Sequence, residues 1–168
     1  MCIRDRSNTR EVGEDVIVGT PILKCGRRLT ATDLSLLASA GVAEVEVFSR
    51  LRVGVLSTGD ELRKPGELAD YWQIYDANRL MLLSMLRDLG FEAIDLGLVE
   101  DSRDTVRDTL NQGSACCDLI ITSGGASAGD EDHISEILKT EGQLTSWRIA
   151  LKPGRPLALG VWKETPVI

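Results

Sequence analysis

The chain has 168 residues, of which 43% are hydrophobic and 27% charged, and its net charge is −7. That length accommodates one α/β domain plus a smaller piece, burying roughly 70% of the surface the unfolded chain exposes. The acidic balance, with no basic run, argues against a nucleic-acid footprint, and no apolar stretch approaches the ~20 residues of a membrane span.

Met1-Cys2-Ile3-Arg4-Asp5-Arg6 has no periodicity and resembles translated sequencing-adaptor sequence, so residues 1–7 are set aside as a non-native leader. Residues 8–50 read as the remnant of a connecting domain. Gly13, Gly19, Pro21 and Gly26 punctuate the short apolar pieces Val16-Ile17-Val18 and Ile22-Leu23, which predicts irregular strands and turns. Thr30 with Asp33 three residues on predicts a capped helix, stopped by Gly41. Val42, Val45 and Val47 then alternate with charged residues, the period of a half-buried strand.

From Leu51 to Ile168 the pattern becomes strand, turn, helix in alternation. Val53-Gly54-Val55-Leu56-Ser57 leads into Thr58-Gly59-Asp60-Glu61 and the polar loop Lys64-Pro65-Gly66-Glu67. Asp76 can cap a helix carrying Leu80, Leu83, Leu86 and Leu89, with Gly90 as its stop. The strand at 93–99 ends in Glu100-Asp101, and Ser102 can cap a helix with Val106 and Leu110 on one face. The strand at 118–122 opens onto Ser123-Gly124-Gly125-Ala126-Ser127-Ala128-Gly129-Asp130-Glu131-Asp132. Asp130 or Asp132 opens a third helix with Ile134, Ile137 and Leu138. Strands at 144–151 and 156–162 follow, separated by Lys152-Pro153-Gly154-Arg155. Thr165-Pro166-Val167-Ile168 reads as an apolar run cut short, so this domain is expected to be truncated. Such alternation predicts an α/β fold with a parallel or mostly parallel sheet and helices on both faces.

In open α/β sheets, ligands bind outside the carboxyl ends of parallel strands, where these acidic turns would lie. Taken singly, the carboxylates are explained by helix capping, worth about 0.3–1 kcal/mol each. Asp60 and Glu61 precede a loop, which capping does not explain. If several carboxylates converge, a cation must offset their repulsion, and Mg²⁺ suits oxygen ligands that bridge to a phosphate or oxyanion. The loop from Ser123 to Gly129, with three glycines and two serines, can bring backbone N–H groups close to an anion or serve as a plain connector. Lys152, Arg155 and Arg148 offer the positive charge that an anionic ligand needs, Arg155 with two parallel donors.

Cys2, Cys25, Cys116 and Cys117 have no C-x-x-C spacing and the only histidine is His133, which argues against zinc and for a reduced, cytoplasmic chain. His133 is given no role, and the three tryptophans read as packing residues.

Ser57-Thr58-Gly59-Asp60-Glu61-Leu62, Ile74-Tyr75-Asp76-Ala77-Asn78-Arg79, the glycine loop through Asp132 and Lys152-Pro153-Gly154-Arg155-Pro156 together resemble the molybdopterin molybdenumtransferase family, MoeA, which includes the E domain of gephyrin. Gly13-Glu14-Asp15 and Leu36-Leu37-Ala38-Ser39-Ala40-Gly41 look like the segment leading into that family's molybdenum-cofactor-biosynthesis domain. The resemblance implies a three-layer α/β/α domain within an elongated homodimer that inserts molybdate into adenylylated molybdopterin with Mg²⁺, releasing AMP. It assigns Glu61, Asp101 and Asp132 as acidic catalytic and metal residues and Lys152 as the lysine of a K-P-G-[KR]-P motif. Thr58, Gly59, Asp60, Ser123, Gly124, Gly125, Ser127, Gly129, Arg148 and Arg155 fall to substrate binding, with Asp60, Asp76 and Ser127 as weaker carry-overs. A molybdopterin adenylyltransferase is a further partner that the resemblance implies. The molybdenumtransferase family's next motif, of G-L-P-G-N-P type, is not in this chain, so weak or no activity is expected of the piece alone. The alternatives are adenylylation of molybdopterin on the same fold, disfavoured by the absence of a G-G-T-G loop, and a non-catalytic scaffold. A general nucleotide-binding α/β protein is the remaining reading.

Overall fold

The computed structural model describes residues 9–124, 133–148 and 156–168, and of Ser146, Trp147, Arg148 and Pro156 the backbone only. The chain divides into two compact units between Phe48 and Ser49.

In the first unit the expected helix forms as α1 (Ala31–Ser39). Asp33 N–H donates to Thr30 Oγ1 at 3.4 Å and Thr30 N–H donates to Asp33 Oδ2 at 2.9 Å, a reciprocal capping box. Hydrogen bonds from Arg27, then from Thr30, hold the Asp33 carboxyl below the usual carboxylate range. Gly41 follows with φ 79°. The strands expected on either side do not form among the described residues. Alternation marks a face that one strand can bury, yet a strand also needs a neighbour for its N–H and C=O groups. Val42, Val45 and Val47 have neither here and remain 38%, 43% and 68% exposed.

The second unit is built on a six-stranded sheet. Its strands are β1 (Arg52–Thr58), β4 (Glu92–Val99), β5 (Leu119–Ser123), β6 (Gln143–Arg148), β7 (Pro156–Trp162) and β8 (Thr165–Val167), in the order β4-β1-β5-β8-β7-β6. The ladders among β4, β1, β5 and β8 are parallel, whereas β7 pairs antiparallel with both β8 and β6. The expected mostly parallel sheet is present. A separate parallel pair, β2 (Leu62–Arg63) and β3 (Ile74–Tyr75), sits within the connection from β1 to α2 (Ala77–Asp88).

Alternation along β1 sorts the core into two layers. Val53 and Val55 pack with Leu83 and Leu86 of α2, while Leu56 packs with Val106 and Leu110 of α3 (Arg103–Cys116) and Ile134, Ile137 and Leu138 of α4 (His133–Thr140). One helix therefore covers one face of the sheet and two cover the other. Full burial of each such side chain contributes about 1.5–3 kcal/mol. Leu80 and Leu89, grouped with the apolar positions of α2, are instead 50% and 59% exposed. Cys117, at the end of α3, joins the larger core, and burial, then its hydrogen bond with Cys116, pushes its thiol up to about 12. It stays protonated at neutral pH. Trp162 is buried as a packing residue, but Trp72 is not, being 50% exposed. No helix among the described residues is long and apolar enough to cross a membrane.

α2 starts on a buried ion cluster. Asp76, 1% exposed, accepts from Arg79 N at 3.2 Å and Arg79 Nε at 2.9 Å, and Arg79 Nη1 donates to Asp95 of β4 at 2.5 Å. Burial alone lowers the Arg79 pKa, but the bonds to Asp95 and Asp76 outweigh it and hold it above the ordinary value. Asp76 is thus a capping and ion-pairing residue.

β8 lies inside the sheet, against β5, although its three residues read as a loose end in sequence. The two-residue turn joining it to β7 is Lys163-Glu164, with φ 46° and 70°, the pattern of a type I′ hairpin. Neither residue favours the left-handed region, which costs roughly 1–2 kcal/mol per residue.

Two outcomes follow for urea unfolding. Replacing Lys163-Glu164 by Asn-Gly raises stability by about 1–2 kcal/mol; an unchanged midpoint would mean the turn carries no strain. Arg79→Leu, which strands a buried carboxylate, costs about 3 kcal/mol. Asp95→Asn costs less, because the Asp95 side chain is 44% exposed; equal losses would show that the cluster does not work through burial.

Candidate functional site at the carboxyl edge of the sheet

β4, β1 and β5 are neighbours, so the turns that follow them meet at one edge. Thr58, 3% exposed, ends β1 in register with Val99 at the end of β4. Its hydroxyl donates to Asp101 Oδ1 at 3.0 Å, and Asp101 N–H donates to Asp60 Oδ1 at 3.3 Å. Three residues singled out from sequence are therefore tied together from two different turns. Ser102 caps α3, accepting from Thr105 N, so Asp101 directly precedes a helix N-terminus whose dipole favours its charge.

The third turn touches the same residue. Gly124 has φ 109°, and a Cβ there would lie 2.4 Å from the carbonyl oxygen of Thr58. Only glycine permits that approach. Ser123 is half-buried at the end of β5, in register with Ser57, whose fully buried hydroxyl has no hydrogen-bond partner among the described residues.

Asp60 and Glu61 are exposed. The Glu61 carboxylate lies over Gly59, where a Cβ would meet Oε2 at 2.6 Å. Ile74 N–H donates to the Glu61 carbonyl at 2.8 Å and Asp76 N–H to the Arg63 carbonyl at 2.9 Å, which fixes the 59–76 connection beside the acidic turn. Gln73, 9% exposed, accepts at Oε1 from Arg63 Nε and Asp70 N, each at 3.0 Å.

Gly125, Ser127, Gly129, Asp132, Lys152 and Arg155 lie outside the described residues, as do Asp130 and the 149–151 part of the expected strand. For Arg148 the backbone is described. β6 runs parallel to β1, so Arg148 and its partner Pro156 stand at the same edge as the acidic turns. Four strand steps separate β6 from β1, a distance of about 19 Å. Arg148 belongs to the edge but not to the Thr58–Asp101 group.

Among the described residues no three His, Cys, Asp or Glu side chains gather as metal ligands would. Glu61 and Asp101 nevertheless fit Mg²⁺ by donor type, since that ion commonly takes one or two carboxylates and completes its shell with water and substrate phosphate. Arg79 and Asp95, which brace the site from below, escaped the sequence reading. The signal was the Asp76-x-x-Arg79 spacing, which puts a cation back onto a helix cap.

Residues 54–168 match the family model described as a probable molybdopterin binding domain. The molybdopterin molybdenumtransferase of Haemophilus influenzae is 44% identical over 94% of this chain and 39% of its own length. Gephyrin of Dictyostelium discoideum is 32% identical over 88% of this chain and 22% of its own. Among solved structures, the molybdopterin biosynthesis moea protein from Pyrococcus horikosii aligns with a TM-score of 0.78 at 32% identity, covering 92% of this chain and 38% of that one. The chain thus spans about two fifths of the length of the molybdenumtransferase it matches.

Gly124→Ala tests the contact between the first and third turns. It lowers stability by about 1–3 kcal/mol, since either the β5 end or Thr58 must move. Urea unfolding checks this, and an alanine variant as stable as the wild type would show that the two turns are not in contact.

Proposed function

The chain belongs to the family of the probable molybdopterin binding domain, and on that premise we propose that it is the pterin-nucleotide part of an enzyme that inserts molybdate into adenylylated molybdopterin with Mg²⁺, releasing AMP. The observation that carries this reading is the joining of Thr58, Asp60 and Asp101 at the carboxyl edge of adjacent parallel strands. That edge is where open α/β sheets take their ligands. The names of the relatives supply the reaction class.

Glu61 and Asp101, with Asp132, hold the Mg²⁺ in this proposal. When bound, the ion neutralises charge on phosphate and oxyanion oxygens. Thr58 orients Asp101 through its hydroxyl, and Asp60 holds the Asp101 backbone. Gly59, Ser123 and Gly124, continuing to Gly125, Ser127 and Gly129, let backbone N–H groups approach the nucleotide phosphate. Lys152 and Arg155 fall in sequence between Arg148 and Pro156, both of which stand at this edge. They and Arg148 are assigned to the anionic end of the ligand, molybdate included. A homodimer, a molybdopterin adenylyltransferase as the source of substrate, and a cytoplasmic setting complete the proposal.

The test is binding of adenylylated molybdopterin to this chain, with and without Mg²⁺, in the wild type and in Asp101→Asn. The expected result is Mg²⁺-dependent binding, weakened at least about tenfold in the variant by loss of a charge-assisted contact. Binding indifferent to Mg²⁺ and to Asp101 would overturn the site assignment. Preferential capture of ATP would favour the adenylylation reading.

A further inference from the structure

The first residue of α3 carries a charge that its position does not favour. Arg103 follows the cap Ser102 at a helix N-terminus, where the dipole favours an anion and opposes a cation. Asp101, the carboxylate tied to Thr58 and Asp60, precedes it by two residues. A guanidinium there also repels any metal ion that Asp101 holds.

Arg103 is spent on α4. Its Nη1 donates to Glu136 Oε1 at 2.8 Å, and its Nη2 donates to Thr140 Oγ1 at 3.1 Å and to Glu141 Oε1 at 3.0 Å. Glu136 lies in the first turn of α4, and its other carboxylate oxygen stands 3.8 Å from Nδ1 of His133, the first residue of that helix. The Thr140 hydroxyl is fixed in turn by donating to the Glu136 carbonyl at 2.9 Å. Glu141 is shared with Arg107, one turn further along α3, whose Nη2 donates to Oε1 at 2.7 Å. The charge of Arg103 is thus taken up by carboxylates of another element. The Arg103 and Glu136 side chains are 38% and 48% exposed, and ion pairs in such positions add little stability. What they add is geometry. A planar guanidinium with three bonds to one segment fixes direction as well as distance, which an ammonium does not.

We infer that Arg103 is a positioning residue of the metal site: by gripping Glu136, Thr140 and Glu141 it sets the start of α3 against α4, and so aims the Asp101 carboxylate just before that helix. This rests on the reading that Asp101 holds Mg²⁺ and adds to it a residue that touches neither ion nor ligand.

The experiment titrates Mn²⁺, which takes the same oxygen ligands as Mg²⁺, into the chain in the presence of adenylylated molybdopterin. Electron paramagnetic resonance reads the bound ion, and melting temperature reports folding. The variants are Arg103→Gln, Arg103→Lys and Glu136→Gln. Positioning predicts ion affinity about tenfold lower in all three, the lower end of what losing an outer partner costs a metal site. A field effect predicts a different pattern: Arg103→Gln tightens the ion by removing a repelling charge, Glu136→Gln loosens it and Arg103→Lys changes nothing. That pattern overturns the inference. Unchanged affinity in all three variants, the outcome if the network serves stability alone, overturns it too. Both leave the functional reading standing. A wild-type chain that binds no ion sinks the functional reading, and the inference with it. If Arg103→Gln melts below the measuring temperature, the other two variants decide: loss in both supports positioning, and full affinity in either overturns it.

Discussion

A single guanidinium, buried between two carboxylates, sets the geometry of the acidic edge. Arg79 reaches that edge along two routes. Through Asp76 it fixes the start of α2, and Asp76 N–H in turn bonds Arg63, whose strand pairing with Tyr75 seats Ile74 on Glu61. Through Asp95 it braces β4 where the ladder with β1 shifts register between Val55 and Leu56. Asp95 Oδ1 also accepts from Gly97 N–H at 2.8 Å, closing the bulge. The extra β4 residue brings Val99 opposite Thr58, and with it Asp101 within reach of the Thr58 hydroxyl. Without the bulge, the same β4 would offer its acidic turn one residue late. A bulge beside a functional edge is a common way to re-aim a side chain.

The mixed sheet separates framework from chemistry. Parallel pairing of β4, β1 and β5 puts three carboxyl ends side by side, which an up-and-down antiparallel arrangement cannot do. β6 and β7, then β7 and β8, pair antiparallel, and these two reversals leave β6 running with β1 and place Arg148 at the acidic edge. The amino-terminal edge is held by different means. There Arg52 grips Asp118 with two side-chain donors and its own backbone N–H, and those side-chain bonds, then the backbone bond, hold the Asp118 carboxyl below its ordinary value. Both residues are substantially exposed, so this bridge adds specificity of register more than stability.

Elements governed by local rules were legible in the sequence. Thr30 with Asp33, Asp76 and Ser102 each cap the helix expected of them, because a cap is decided within four residues. The apolar run of β1 was equally clear, since a buried parallel strand is apolar on both faces, and β4 and β5 were legible as shorter apolar runs beside it. What escaped depended on partners distant in sequence. β8 is a strand only because β5 and β7 flank it, and its turn carries Lys163 and Glu164 where glycine or asparagine would have announced a hairpin. Residues 42–47 show the reverse error, a correct period with no described neighbour to pair with. In the site, the acidic turns were legible as residue types after strands. The bond from Thr58 to Asp101 was not, because it depends on a register set by Asp95 and Gly97 about forty residues away.

The charge balance at this edge points to how a ligand must be held. Asp60, Glu61 and Asp101 are carboxylates on adjoining turns, and two unit charges ~4 Å apart interact by about 1 kcal/mol in water and about 4 near a protein surface. A helix N-terminus returns only about 0.3–1 kcal/mol per carboxylate, and of the three only Asp101 directly precedes one. A polyanionic ligand would add to that repulsion unless a cation entered with it, so attraction at the acidic end is conditional on the ion. Arg148, at a separation of about 19 Å across the sheet, is too far to neutralise these carboxylates directly. The described edge therefore keeps its acidic group and the Arg148 backbone position about 19 Å apart, so in the proposed function only a cation that enters with the ligand can offset the carboxylates.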